Sequence, residues 1–320
     1  MRIARIEIAG APRAAIVSQD VATAAVLPPD VSVLDLLTSD PAGREQLAAR
    51  AGDEVPLDES RLLAPIQPPT VRDFSVFEQH IEGVRMGRFP DRPVPAVWYE
   101  SLFCYFSNPH AVNGAGAEIP VPPGCVDMDF ELEVAAVIGR AGTNLRPEDA
   151  GAHIAGYTIF NDWSARDLQL AEMQLGLGIC KGKDFANTLG PWIVTADELG
   201  RHRQGDRLDL DMRASVNGRE IGDDTLANMA WSFEEMVSYA SRGTWIRPGD
   251  VLGSGTCGSG CLLEMWGRHG RNGYPPLGPG DTVSLTVEGI GTLTNSVVAG
   301  PGPIPLPAAR PGRLRFRAAT

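Results

Sequence analysis

The residues with the clearest chemical potential are two glutamates spaced two apart. Over residues 130–139 the chain alternates, with Phe130, Leu132, Val134, Ala136 and Ile138 on one side and Glu131, Glu133, Ala135 and Val137 on the other, which predicts a strand. Two residues advance a strand by about 6–7 Å, so both carboxylates point the same way. At that spacing they repel unless a proton or a cation lies between them. Asp162 closes a second predicted strand, residues 154–161, where a polar group can project from a sheet edge. Together the three carboxylates form an oxygen-only donor set suited to a hard divalent cation such as Mg2+ or Mn2+. A solvated strand face carrying ordinary surface glutamates has the same spacing.

Further residues extend this set. Asp73, in the run 71–80, offers a fourth oxygen ligand, and His80 in the same run is a base able to take a proton from bound water near neutral pH. Glu264 falls in a predicted strand over residues 261–266, between Leu262, Leu263 and Met265. A carboxylate buried there needs a partner, and an imidazole suits it. The preceding run 253–260 is rich in Gly, but it lacks the Gly-Lys-Ser/Thr ending of a phosphate-binding loop. It reads as a tight loop at a cleft.

These residues need elements to position them. Short strands are expected at 3–9 and 14–17, with a weak helix over 42–51. Pro65, Pro68 and Pro69 make residues 62–70 a linker without regular structure. A domain boundary is placed there, giving a small N-terminal domain (1–64), a catalytic domain (65–302) and an Arg- and Pro-rich tail (303–320). Leu208, Leu210, Met212, Ala214 and Val216 alternate up to Asn217-Gly218, a type I′ hairpin turn. Residues 283–287 and 292–298 predict another strand pair around Gly289. One helix stands out: Ser232 and Glu235 form a capping box before Phe233, Met236, Val237 and Ala240, and Gly243 can end it. The expected class is α+β and predominantly β, without the βαβ rhythm of a nucleotide-binding domain.

The chain has 320 residues and a formal charge of −12, so nucleic acid and anionic membranes are not expected partners. No apolar run approaches the length of a membrane span, and Arg5, Glu7 and Arg13 interrupt any signal-peptide core. The five scattered cysteines suggest a reducing cytoplasm and no disulfide framework. Cys257 and Cys261 make one C-x3-C pair without a second pair or a spaced histidine, so structural zinc is not expected.

Asp73-Phe74 with His80, the Asp-Phe-Glu-Leu-Glu run 129–133, Asn161-Asp162-Trp163-Ser164-Ala165-Arg166-Asp167, Gly182-Lys183-Asp184-Phe185, and Arg247-Pro248-Gly249-Asp250 leading into Gly253-Ser254-Gly255-Thr256 occur in an order and spacing that resemble the fumarylacetoacetate hydrolase family over about residues 65–298. The resemblance implies a mixed β-sandwich roll behind a small N-terminal domain, commonly a homodimer. It implies that Glu131, Glu133, Asp162 and Asp73 bind the metal, that His80 is the general base and that Glu264 orients it. It also implies that Lys183 and Gln169 polarise substrate or stabilise an oxyanion, and that Thr256 contacts substrate.

The implied reaction is hydrolysis of a C–C bond in a β-dicarbonyl, acylpyruvate- or fumarylacetoacetate-like compound. Decarboxylation, tautomerisation, dehydration or isomerisation of 2-oxo acids are the alternatives on the same fold. A non-enzymatic module stabilised by a cation such as Ca2+ is a third reading. Ser75 and Met173 stand where fumarylacetoacetate-cleaving members carry tyrosines, which argues against fumarylacetoacetate itself. Residues 81–96 carry Arg85, Arg88 and Arg92 among Gly and Pro, and read as a lid whose arginines could meet a substrate carboxylate.

Overall fold

The structure, a computed structural model, describes residues 1–58, 61–86, 91, 93–176 and 178–310. It is built on a large mixed sheet whose centre is the strand Leu132–Ile138, every residue of which is buried. On one side of that strand lies Ile154–Asp162, then Asn187–Thr195, and then the N-terminal strands Arg2–Ile8, Ala11–Val17, Thr23–Val26 and Glu54–Pro56. On the other side lie Val251–Gly253, Val71–Phe74 and Cys104–Ser107. Residues from before and after position 65 therefore share one sheet, joined where Arg2 and Ile3 pair with Val194 and Ile193.

The alternation expected over residues 130–139 is observed. Leu132, Val134, Ala136 and Ile138 pack into one core, while Ala135 and Val137 pack into another with Phe160, Leu189 and Ile193. Both faces of the sheet are thus covered. A second sheet, in the order Arg219–Thr225, Asp211–Val216, Thr282–Val287, Gly291–Val298 and Glu118–Pro120, contributes Met212, Leu285, Leu293 and Val297 to the first of these cores. The result is a strand-rich α+β sandwich, the expected class.

Local signals explain much of this. Asn217 and Gly218 both take positive φ, 54° and 76°, as the hairpin between Asp211–Val216 and Arg219–Thr225 requires. The helix Phe233–Ser241 begins at the Ser232–Glu235 capping box, and the helix near residue 42 runs Pro41–Ala48, capped by Asp40. Two expectations need correction. In the proline-rich linker, Leu62–Leu63 does pair in register with Arg5 and Ile6, because the prolines begin only at Pro65. The segment around Glu264 is a helix, Leu262–His269, and not a strand. Its first two free N–H groups, on Leu262 and Leu263, donate to the buried carboxylate of Asp129 at 2.8 and 2.9 Å. An anion at that end favours a helix, and only the fold brings it there.

Among the described residues no helix is long and apolar enough to cross a membrane. Residues 303–310 of the tail are exposed and without regular structure, and 311–320 lie outside the described residues.

Candidate active site

The register of two neighbouring strands assembles the site. Leu132 pairs with Asn161 and Glu133 with Phe160, so the next position along this antiparallel ladder sets Glu131 opposite Asp162. Directly paired residues project from the same face. The Glu131 backbone N–H donates to the Asn161 side chain at 3.0 Å, which fixes this end of the pair. Asp73 arrives from the strand Val71–Phe74, which pairs in parallel with Val251–Gly253 and sets Asp73 beside Gly253. Asp73, Glu131, Glu133 and Asp162 are all buried, and one carboxylate oxygen from each lies within 4.8 Å of the others.

Gly253 makes this approach possible. A Cβ there would lie 2.5 Å from Asp73 Oδ1 and 2.8 Å from the Phe160 ring. Replacing Gly253 with Ala should overpack the site, costing about 1–3 kcal/mol of stability and weakening divalent-ion binding. Paired thermal denaturation and calorimetric Mn2+ titration would check this; a fully stable variant with unchanged Mn2+ affinity would contradict it.

Two cations partly balance the four carboxylates. Lys183 Nζ donates to Glu131 Oε2 and to Asp162 Oδ2, each at 2.5 Å. Arg166 NH2 donates to Glu131 Oε1 at 2.7 Å, while its Nε donates to Asp129 Oδ2 at 2.8 Å. Burial alone would raise Glu131, but Arg166 and Lys183 hold it below the usual carboxylate range. Burial pushes Asp162 up to about 7, with Glu131 and Asp73 adding to the rise and Lys183 opposing it. Glu133 is driven well above its ordinary value by burial and by the facing Asp73, and burial also raises Asp73. Lys183 is held above its usual value because Asp162 and Glu131 outweigh the effect of its burial.

The donor set fits a hard divalent cation. Glu133 Oε1 and Asp162 Oδ1 are buried without a hydrogen-bond partner, although buried carboxylate oxygens are normally satisfied. The raised Glu133, Asp73 and Asp162 belong to an anionic cluster short of positive charge, which a divalent ion would supply. Remaining oxygens are oriented by the protein. The Gly255 backbone N–H donates to Asp73 Oδ1 at 3.1 Å and Glu133 Oε2 at 3.0 Å, and the Tyr105 hydroxyl donates to Asp162 Oδ2.

His80 lies on the helix Glu78–Met86, which packs against Leu262–His269. Its Nδ1 is 2.7 Å from Glu264 Oε1. Glu264 is fully buried, and its other oxygen accepts the Ser259 N–H at 2.9 Å. A cavity of about 360 Å3 is lined by Asp73, Ser75, His80, Glu131, Gln169, Lys183 and Thr256, among others. The predicted carboxylates, the His–Glu pair, the lysine, the glutamine and the threonine therefore converge on one cleft.

A second cavity of about 540 Å3 adjoins it. The two share Val84, Gln169 and Leu263, and Arg85, Leu170, Met173, Trp266 and Arg271 line the second. The segment expected as a lid starts as helix, and Arg85 sits on its last turn. Arg88 and Arg92 lie outside the described residues. Sequence reasoning gave no role to Arg166, Asp129 or Tyr105. The first two stand inside motifs already singled out; Tyr105, on Cys104–Ser107, has no local signal and reaches Asp162 only through strand pairing.

With this geometry established, comparison with known proteins places the chain. The family model described as fumarylacetoacetate (FAA) hydrolase C-terminal matches residues 70–298, well over half of the chain. An oxaloacetate tautomerase of Bacillus subtilis is 31% identical over 245 residues, 75% of this chain and 74% of that protein. A solved fumarylacetoacetate hydrolase from Exiguobacterium antarcticum superposes with a TM-score of 0.71 at 27% identity, covering 93% of this chain and 99% of its own. A 5-carboxymethyl-2-hydroxymuconate delta-isomerase from Mycobacterium smegmatis superposes with a TM-score of 0.69 at 27% identity, covering 93% of this chain and 100% of its own. The sandwich, the buried carboxylate cluster and these matches together make the chain an enzyme of the fumarylacetoacetate hydrolase family.

Proposed function

We propose that the protein hydrolyses a C–C bond in acylpyruvate-like β-dicarbonyl compounds, with Mg2+ or Mn2+ held by Asp73, Glu131, Glu133 and Asp162. One observation carries this reading: His80, held 2.7 Å from buried Glu264, borders the same cavity as Asp73 and Glu131 of the carboxylate cluster. A divalent ion there, when bound, supplies Lewis-acid polarisation of a chelating 2-oxo acid.

The chain's own residues supply the rest. With Nδ1 turned to Glu264, the ring nitrogen left to work in the cavity is Nε2. His80 removes a proton from water as the oxygen attacks the acyl carbonyl, and buried Glu264 stabilises the imidazolium that forms. The Lys183 ammonium, fixed between Glu131 and Asp162, adds positive charge beside the oxyanion. Gln169 and Thr256 line the cleft and orient the substrate. The C–C bond then breaks; the acyl carbon leaves as a carboxylic acid carrying the water oxygen, and the other fragment takes a proton to become a 2-oxo acid. Replacing Lys183 with Ala should lower kcat by about 10²–10³, the usual cost of losing an oxyanion donor. Single-turnover kinetics on metal-saturated protein would measure it, and a loss under about threefold would remove Lys183 from this role.

The second cavity suits the acyl arm. Leu170, Met173, Leu263 and Trp266 give it apolar walls. Arg271 is held by two bonds to Asp127, at 2.6 and 2.8 Å, and lies 4.3 Å over the Trp266 ring. Arg85 lines the same compartment, but the Arg271 charge is already matched and the apolar walls favour a hydrocarbon arm over a charged one. Each buried methylene is worth about 0.8 kcal/mol, so kcat/KM should rise up to about fourfold per added carbon. Leu170→Asp should flatten that series, and a flat series in the unaltered protein would refute the arm's placement.

A second reading is tautomerisation of a 2-oxo acid, favoured by the oxaloacetate tautomerase relative. It needs the same base but no hydrolytic water. A substrate panel of acylpyruvates and oxaloacetate run in H2(18O), with products weighed by mass spectrometry, separates the two. Heavy oxygen in a released carboxylic acid supports hydrolysis. Isomer conversion without cleavage would overturn it in favour of tautomerisation.

A further inference from the structure

Cys261 is the N-cap of the helix Leu262–His269, and neither the carboxylate centre nor the proposed reaction uses it. It is fully buried, yet its Sγ lies 3.9 Å from His80 Nδ1 and 3.9 Å from Glu264 Oε1. With the 2.7 Å separation of His80 and Glu264, one nitrogen, one sulfur and one oxygen form a compact triangle. Three ligands of a tetrahedral zinc, at bond lengths of about 2.0–2.3 Å, stand about 3.3–3.6 Å from one another. Adjustments of about half an ångström would convert the observed triangle into one face of such a site.

The surroundings suit this set. Glu264 Oε2 is anchored by the Ser259 N–H at 2.9 Å and lies 3.6 Å from Arg268, which orients Oε1 towards the triangle as an outer shell does in metal sites. His80 faces the cavity, leaving a fourth position for water. The triangle shares no residue with Asp73, Glu131, Glu133 and Asp162. The two sets also differ in softness, since four oxygens select a hard ion whereas imidazole, thiolate and carboxylate select a borderline or soft one.

We propose that His80, Cys261 and Glu264 form a second, inhibitory site for a thiophilic divalent cation, Zn2+ or Cd2+, which shuts the enzyme off by taking its base. Binding releases the Cys261 thiol proton to solvent, moves the His80 ring proton from Nδ1 to Nε2 by exchange with water, forms metal bonds to Sγ, Nδ1 and Oε1, and breaks the His80–Glu264 hydrogen bond. Burial keeps the free thiol protonated by pushing Cys261 well above its ordinary value, so the thiolate appears only with the metal. A coordinated imidazole no longer accepts a proton with support from Glu264, and turnover stops while the carboxylate centre keeps its own ion.

The test uses the Mg2+-saturated protein and Cd2+ alone as probe, reading the near-ultraviolet thiolate-to-metal charge-transfer band. The expected result is a band that Cys261→Ser and His80→Gln each reduce by the contribution of one site per chain and Cys257→Ser leaves intact. The remaining thiols are a shared background in all four proteins. A band as strong in Cys261→Ser or His80→Gln as in the unaltered protein, or no band in the unaltered protein, overturns the site; His80→Gln decides the matter if Cys261→Ser does not fold. The inhibitory part rests on the proposed role of His80 and is read separately. Zn2+ should inhibit the unaltered enzyme at a concentration at least about tenfold lower than it inhibits Cys261→Ser, since losing even an outer-shell partner costs 10–100-fold in affinity. Equal inhibition of the two would overturn the claim that this site silences the enzyme. A Cys261-dependent band without inhibition would establish the metal site and reject His80 as the base.

Discussion

Replacing His80 with Gln should lower kcat by about 10²–10⁴, the usual contribution of a positioned general base, while leaving Mn2+ affinity nearly unchanged. The separation is expected because the base and the carboxylates come from different elements. His80 sits on Glu78–Met86 and is held by Glu264 on Leu262–His269, whereas the carboxylates hang from strand positions fixed by the central sheet. Glutamine preserves much of the side chain's bulk and a donor towards Glu264, so the fold should survive. Glu264→Gln should reduce kcat in the same direction, because a neutral amide cannot balance an imidazolium. Pre-steady-state kinetics with calorimetric Mn2+ titration would decide. Retained turnover would remove His80 from the chemistry, and a parallel loss of Mn2+ would mean that the histidine supports the metal centre instead.

The second large effect falls on stability. Arg166 is fully buried, and its guanidinium joins Asp129 and Glu131 while NH1 donates to Gln169 at 3.1 Å. Asp129 in turn accepts the first N–H groups of the helix Leu262–His269. Removing one partner of a buried ion pair costs about 3–5 kcal/mol, because the charge left behind is neither solvated nor matched. Arg166→Ala leaves Asp129 without a cation and Glu131 with Lys183 alone, so unfolding free energy should drop by about that amount, and kcat should fall as the helix carrying Glu264 loosens. Arg166→Lys should recover only part of it, because an ammonium cannot reproduce the guanidinium fork that reaches Asp129, Glu131 and Gln169 together. Urea denaturation would measure both variants. A cost under about 1 kcal/mol for Arg166→Ala would show that this network does not hold the site together.

The strand face that carries Glu131 and Glu133 was readable from period-2 alternation, since the same alternation decides which apolar side chains enter which core. Asp162 was readable as the end of an apolar run, and the Asn217-Gly218 turn and the Ser232 capping box are strong local signals. What was not readable depends on contacts between distant segments. Glu264 appeared to belong to a strand because Cys261-Leu262-Leu263-Glu264-Met265-Trp266 is too short for period to separate strand from helix. The anionic cap that settles it, Asp129, is 133 positions away from Leu262. Lys183 lines the cleft, and its ion pairs with Glu131 and Asp162 have no local signal in the sequence. Arg85 was expected on a loop above the cleft and lies on a helix beside a second cavity. Tyr105 reaches Asp162 only because Cys104–Ser107 lies along Val71–Phe74. In each case the residue type was visible, and its setting depended on segments distant in the sequence.

The central claim is that Asp73, Glu131, Glu133 and Asp162 share a divalent ion. Calorimetric Mn2+ titration of the unaltered protein and of Asp162→Asn, with turnover followed before and after chelation, tests it most directly. The expected result is one Mn2+ per chain, lost or weakened at least about tenfold in Asp162→Asn, with turnover that disappears on chelation and returns with Mg2+ or Mn2+. Equal Mn2+ binding by both proteins, or full turnover of thoroughly chelated enzyme, would contradict it.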